Sequence, residues 1–430
     1  VDMKTYKELN EVIYSDRLKN GLTVKMIPKK GYHSVYAVLF TEFGSIDHEF
    51  IPRGEKKYQT FPYGVAHFLE HKLFETRAGD ISQVFSAQGA SINAYTSNTK
   101  TVFLCSFTKN KRQNIETLLD FVQEPFFSDQ SVEDEKSIIS QEILMYKDDP
   151  DWILTQGLIE NLYPDHPVRI DVAGTSESVE SITLDMLNKN YLTFYHPDNL
   201  QMVLVGNIDP VETLQWIKHN QGKKFYPKPM KIERMINTKS GKPVTKSRNI
   251  TVSVNLAKVS VGVKGHCFEL GEKEAFRHIL CMEILLDLLF GETSANYLSL
   301  YDKNLIDDSF SYDYIFERGF DYVSIGGDSR LPKELAETIQ TILLNSSQNP
   351  DMTPAHFSLV KKKMIGESIQ SLNSLGYIAQ EFVDQPFSEL TIFDYLSVLK
   401  SISFEELQHV AKDFFRADQM SVFTVDPKRQ

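Results

Sequence analysis

The sequence predicts an α+β fold made of two homologous domains, each a mostly antiparallel sheet with helices packed on one face. Three observations predict it. Short runs rich in β-branched and aromatic residues are followed by stretches with apolar spacing of three and four, the mixture expected of sheets layered with helices. A helix–turn–strand passage recurs about half a chain later, and a stretch rich in Lys, Pro and Gly separates the two copies. At 430 residues the chain is also too long for one compact core.

The elements follow in order. "LTVKMIPKK" (22–30), "SVYAVLFTEF" (34–43), "ASINAYTSNT" (90–99) and "TVFLCSFT" (101–108) read as strands. "RQNIETLLDFVQEPF" (112–126) and "ETLQWIKHN" (212–220) read as helices. "SITLDMLNKNYLTFYHPDNLQMVLVGNIDP" (181–210) and "SISFEELQHVAKDFFRADQMSVFTVDP" (401–427) share one pattern: a helix after Ser or Thr, a polar turn, an apolar strand, then Asp-Pro. So long a repeat implies duplicated domains rather than a solenoid. Residues 221–248 lack apolar periodicity and read as a basic linker. The expected division is therefore 1–220, linker 221–248, and 249–430.

Composition narrows the function. A net charge of −12 argues against nucleic-acid binding, which needs a basic footprint. No run of 18 apolar residues predicts membrane insertion. Residues 1–21 hold no apolar signal core, so a cytoplasmic protein is expected. Cys105, Cys267 and Cys281 are too scattered for a disulfide framework and read as buried thiols in a reducing compartment.

One stretch carries chemistry: "GVAHFLEHKLFE", residues 64–75. Its apolar spacing predicts a helix, which puts His67, Glu70 and His71 on one face. Two imidazoles at that spacing can converge on Zn²⁺, and a catalytic zinc takes three protein ligands plus a water that Glu70 can reach. An amphipathic helix with a Glu–His pair fits the same residues. In "SVEDEKSIISQEILMYKDDPD" (131–151), Ser131 and Asp134 resemble a capping box. Ile138, Ile139, Ile143 and Leu144 suggest an apolar stripe, with Glu135 and Glu142 two turns apart on a common face. A carboxylate in that stripe needs a partner, either a metal or a buried Lys or Arg.

His-x-x-Glu-His with glutamates 64 and 71 residues beyond the second histidine resembles the inverted-zincin signature of the pitrilysin/insulinase metallopeptidases, the M16 family. "GASINAYTSNTKTVF", "EKSIISQEILMYKDDPDW", "NLYPDHPV", "AGTSESVESIT" and "YHPDNLQMVLVGNID" resemble that family too, closest to its short bacterial two-domain members, which include processing-type peptidases. The resemblance implies a zinc-dependent metalloendopeptidase acting on peptides or small unfolded proteins. It puts the ligands of one Zn²⁺ per chain on His67, His71 and Glu142, the general base on Glu70, and a supporting acid on Glu135. It also implies that substrate adds as a β-strand along "GASINAYTSNT", with Asn93 and Ala94 near the cleaved bond.

The second half departs from the first. "EKEAFRHILCMEILLDLLFGE" offers His278 and Glu283 but no His-x-x-Glu-His, so a core helix without metal is expected. Family members enclose substrate within four such domains, which implies a homodimer or a heterodimer with a zinc-less relative. In the family an Arg and a Tyr from the zinc-less half help hold the substrate. Tyr312, Tyr314, Arg318, Tyr322 and Arg330 are the candidates here. The alternative function is a non-catalytic assembly subunit of such a complex.

Overall fold

The computed structural model describes residues 1–77, 79–236, 242–384 and 390–428. They divide into two compact units. The first comprises residues 1–77, 79–143, 170–236 and 371–384, and the second comprises 144–169, 242–370 and 390–428. Each half of the chain thus lends one stretch to the other's unit. Residues 237–241 of the expected linker lie outside the described residues.

In the first unit seven strands form one sheet. They are β1 (Asp2–Tyr6), β2 (Glu11–Arg17), β3 (Thr23–Pro28), β4 (Val35–Thr41), β5 (Ala90–Thr96), β6 (Thr101–Phe107) and β7 (Leu200–Gly206). Their order is β1-β2-β3-β7-β4-β6-β5. Only β3 and β7 run parallel; the other pairs are antiparallel. The sequence sets the centre of this sheet. β4 and β7 are near-continuous apolar runs, and they lie in the middle with both faces covered. Val35, Ala37 and Leu39 enter the main core, while Val38 and Phe40 on the other face are buried as well. β5 is less apolar and lies at an open edge.

The second unit repeats this plan with five strands: β8 (Ser247–Val252), β9 (Ala257–Lys264), β10 (Ser311–Glu317), β11 (Phe320–Ser329) and β12 (Met420–Pro427), ordered β8-β12-β9-β11-β10. Again a single pair, β8 with β12, is parallel. β3, β7, β4, β6 and β5 thus have counterparts in β8, β12, β9, β11 and β10. The duplication inferred from the two helix–turn–strand passages is present as topology.

The helices that matter below are α1 (Val65–Leu73), α2 (Lys111–Gln123), α3 (Asp129–Lys147), α4 (Pro150–Leu162), α5 (Leu184–Phe194), α6 (Glu272–Phe290), α7 (Leu375–Asp384) and α8 (Phe404–Asp413). In the first unit α2 packs on β4 and β6, and α7 packs on β4 and β7. In the second unit α4 packs on β9 and β12. Glycine permits that close approach: a Cβ on Gly157 of α4 would stand 2.2 Å from Phe423 Cζ. The three cysteines are free and buried. Burial pushes the Cys267 and Cys281 thiols up to about 12, which keeps them unreactive. No helix among the described residues is long and apolar enough to cross a membrane.

Candidate metal centre

Gly64 caps the start of helix α1 with a φ of 90°, in the left-handed region. A side chain there would meet the Ala173 carbonyl oxygen at 2.4 Å, so glycine is required twice over. Within α1 only His71 stays out of the buried set, an arrangement typical of a core helix. Three polar residues, His67, Glu70 and Lys72, are buried with it, and each therefore needs a partner.

Helix α3 brings the remaining acids. Its cap falls one turn earlier than the sequence suggests. Ser128 and Ser131 exchange hydrogen bonds at 3.2 and 3.3 Å, each hydroxyl accepting the other's backbone N–H, and Ser131 already lies inside the helix. The apolar stripe is also narrower than expected. Ile139 and Ile143 are buried, but Ile138 and Leu144 are more than half exposed. Glu135 and Glu142 flank the buried row on the side that faces α1.

The structure brings His67, His71 and Glu142 together, with one ligand atom from each lying within 4.8 Å of the others. His67 Nε2 stands 3.7 Å from Glu142 Oε1, and His71 Nε2 stands 3.5 Å from Glu142 Oε2. Neither is a good hydrogen bond. Two ligands about 2.0–2.1 Å from a tetrahedral ion stand roughly 3.3–3.4 Å apart, so these spacings suit a shared ion better than direct contact. Among the described residues His67 Nδ1 is buried without a hydrogen-bond partner. Burial, with His71 beside it, pushes the His67 imidazole down to about 3, which leaves it neutral with a lone pair to give. Two imidazoles and a carboxylate form a donor set that zinc accepts.

The neighbours set the orientation. His71 Nδ1 lies 3.0 Å from Glu135 Oε1. If Nδ1–H donates to that carboxylate, Nε2 is left free to face Glu142. Burial, the largest single influence, disfavours charge on both partners, yet their mutual hydrogen bond and the neighbouring charges together outweigh it: the acids Glu135, Glu70 and Glu142 raise His71, and His71 with Lys72 lowers Glu135 from its ordinary value. Burial holds the Glu70 carboxyl above its usual range, opposed by a 2.6 Å hydrogen bond from Thr96 Oγ1 to Glu70 Oε2. Lys72, 1% exposed, pairs with Glu75 and lies 3.6 Å from Glu135 Oε2. Sequence reasoning singled out neither Thr96 nor Lys72. The signal for Lys72 was a lysine in a helix whose other residues, apart from His67, Glu70 and His71, are apolar.

Thr96 belongs to β5, so the edge strand runs past Glu70. Asn93 and Ala94 lie on that strand opposite Leu104 and Phe103 of β6. Asn93 is exposed, and its Oδ1 accepts the Ala94 N–H at 2.9 Å. The Ala94 N–H therefore points to its neighbour's side chain rather than into the ladder.

In the second unit His278, Glu283, Tyr312 and Tyr314 each meet a partner. On α6, His278 lies edge-on to Tyr314, and burial lowers it to about 4; Glu283 accepts from the Tyr395 hydroxyl at 3.1 Å. Tyr312 donates to Asp287 at 2.9 Å and Tyr314 to Asp321 at 2.8 Å, while Tyr322 is buried and Arg330 exposed. Arg318 is partly buried. Among the described residues no second group of three metal-binding side chains converges.

Comparison with known proteins gives a consistent picture. Residues 52–176 match the family model described as insulinase (peptidase family M16), and residues 181–364 match the model described as the peptidase M16 inactive domain. The chain is 46% identical over 424 residues to YmfH of Bacillus subtilis, described as an uncharacterized zinc protease, covering 98% of both chains. Among solved structures it resembles an M16-like peptidase from Alicyclobacillus acidocaldarius, with a TM-score of 0.92 and 36% identity over 97% of this chain and 99% of that one. A Helicobacter pylori protease shares the fold, with a TM-score of 0.79 at 19% identity, over 96% of this chain and 99% of that one.

Proposed function

The chain belongs to the M16 (insulinase) peptidase family, and from that premise we propose that it is a zinc-dependent metalloendopeptidase acting on peptides or small unfolded proteins. One observation carries the reading: His67 and His71 of α1 converge with Glu142 of α3, and Glu70 shares the face of α1 that carries the histidines, beside an open sheet edge. His67, His71 and Glu142 would hold the ion. When bound there, zinc supplies Lewis acidity that polarises a peptide carbonyl and makes water a nucleophile near neutral pH.

The chain's own groups do the rest. Thr96 ties one oxygen of Glu70, leaving the other to take a proton from the attacking water and return it to the departing amine. Its raised affinity for protons suits that exchange. Glu135 orients His71. An extended substrate adds along β5, near Asn93 and Ala94, through backbone hydrogen bonds that read little side-chain identity. Folded proteins cannot offer such a strand. A second chain, either an identical copy or a zinc-less relative, completes the enclosure around the substrate. The presence of His67, Glu70, His71, Glu135 and Glu142 together speaks against a non-catalytic subunit.

Metal removal tests the reading. Cleavage of a quenched unstructured peptide should stop with a chelator and return with zinc; cleavage that survives full zinc removal would contradict it.

A further inference from the structure

Lys72 has no part in the steps above, yet it is 1% exposed, in the helix that supplies both histidines. A buried ammonium is costly unless anions meet it. Two do, and they differ. Glu75 pairs with it from the next turn, but that side chain is 40% exposed. Glu135 stands 3.6 Å away on α3 and is only 14% exposed. Water can take over the hydration of Glu75; it can do far less for Glu135.

Glu135 uses its two oxygens differently. Oε2 faces Lys72, and Oε1 meets His71 Nδ1 at 3.0 Å. His71 Nε2 in turn faces Glu142. Lys72, Glu135 and His71 therefore form a chain of contacts that crosses from α1 to α3 and back, ending at an imidazole nitrogen of the candidate metal site. Charge points the same way. Three carboxylates, Glu70, Glu135 and Glu142, crowd the centre. The Lys72 ammonium beside Glu135 offsets part of that charge.

We infer that Lys72 is a positioning residue of the metal centre: it fixes the Glu135 carboxylate so that Oε1 stays on His71 Nδ1–H and Nε2 stays turned toward the ion. This rests on reading His67, His71 and Glu142 as the zinc ligands. Lys72 touches neither the ion nor the substrate, so its effect passes through Glu135. That dependence separates a positioning role from a merely structural one.

The test is zinc affinity, measured by competition with a chelating dye, together with the visible spectrum of the cobalt-substituted protein. It is run on the full chain and on the variants Lys72→Met, Glu135→Gln, their double variant and Glu75→Gln. Methionine fills the lysine's space without its charge. Lys72→Met should weaken zinc binding about tenfold, the low end for outer residues of a metal site, and shift the cobalt bands. In the Glu135→Gln background it should weaken binding no further. Glu75→Gln should stay within about twofold of the unsubstituted chain. Lys72→Gln, shorter and uncharged, serves should the methionine variant not fold, and it should weaken zinc binding in the same direction, again only where Glu135 is present. Unchanged affinity and spectrum in Lys72→Met, or an equal loss with and without Glu135, would overturn the inference while leaving the ligands in place. An unsubstituted chain that takes no zinc would overturn the ligand assignment, and the inference with it, before any substitution is compared.

Discussion

Glu70 and Glu135 are both acids beside the same two histidines, yet their surroundings separate them. Glu70 is buried, held by a neutral hydroxyl, and pushed toward protonation. Glu135 accepts from an imidazole, faces an ammonium, and is pushed toward the anion. Divergent environments of this kind mark a proton-transferring acid apart from an orienting one. Glu70→Gln keeps the hydrogen bond from Thr96 but removes the basic oxygen. It should lower turnover by about 10²–10⁴-fold with zinc retained, as read from peptide cleavage and metal content on the same sample. Far from the site, Glu406 shows the other use of a carboxylate. Hydrogen bonds from the Arg277 guanidinium, at 2.5 and 2.7 Å, hold its carboxyl down to about 2. The folded value lies below the unfolded one near 4.5, so this stabilisation is complete above pH 4.5 and is lost as pH falls toward 2. Both side chains are about a third exposed, which limits the effect to about 1 kcal/mol. The melting-temperature deficit of Glu406→Gln should therefore be present at pH 7 and fade between pH 4.5 and 2.

At the scale of elements, the edge strand β5 joins fold to function. Its exposed Asn93 covers the Ala94 N–H, a local device that blunts an edge otherwise open to pairing. An added substrate strand would displace that side chain. Ala94→Pro deletes an N–H that the ladder with β6 does not use, so the sheet should survive. Zinc content and melting temperature should stay near those of the unsubstituted chain, while kcat/KM for an unstructured peptide falls tenfold or more. Full activity in this variant would exclude strand addition at Ala94. The strands and α1 were readable in the sequence because their apolar periods are strong. The start of α3 was not: Ser128 and Ser131 offer the same hydroxyl, and only the reciprocal bond chooses between them. The stripe over Ile138 to Leu144 was read too wide because four aliphatic residues look alike until packing selects Ile139 and Ile143.

The whole molecule repeats one topology in two compact units, and the repeat was legible because helix, turn and strand recur in the same order. The exchange of segments was not. A helix such as α4 or α7 has an apolar face whichever sheet it covers, so its sequence does not say which sheet receives it. Spacing put His67, Glu70 and His71 on one helix face, but Glu142 entered the metal centre only through the family resemblance, since nothing in the 63 positions between His71 and Glu135 fixes how α3 lies against α1. A duplicated chain with one metal-binding trio among its described residues also fits an enclosure shared with a second chain. Gel filtration of the active form should give a mass above that of the 49.3 kDa chain, and a fully active monomer would contradict that arrangement. The most direct test of the central claim is zinc content measured alongside cleavage of a quenched unstructured peptide, on one preparation of the chain with its Glu70→Gln variant beside it. Near-stoichiometric zinc in both, with chelator-sensitive cleavage only in the unsubstituted chain, is the expected result. A chain that binds no zinc, or a Glu70→Gln variant that cleaves as fast, would contradict the account.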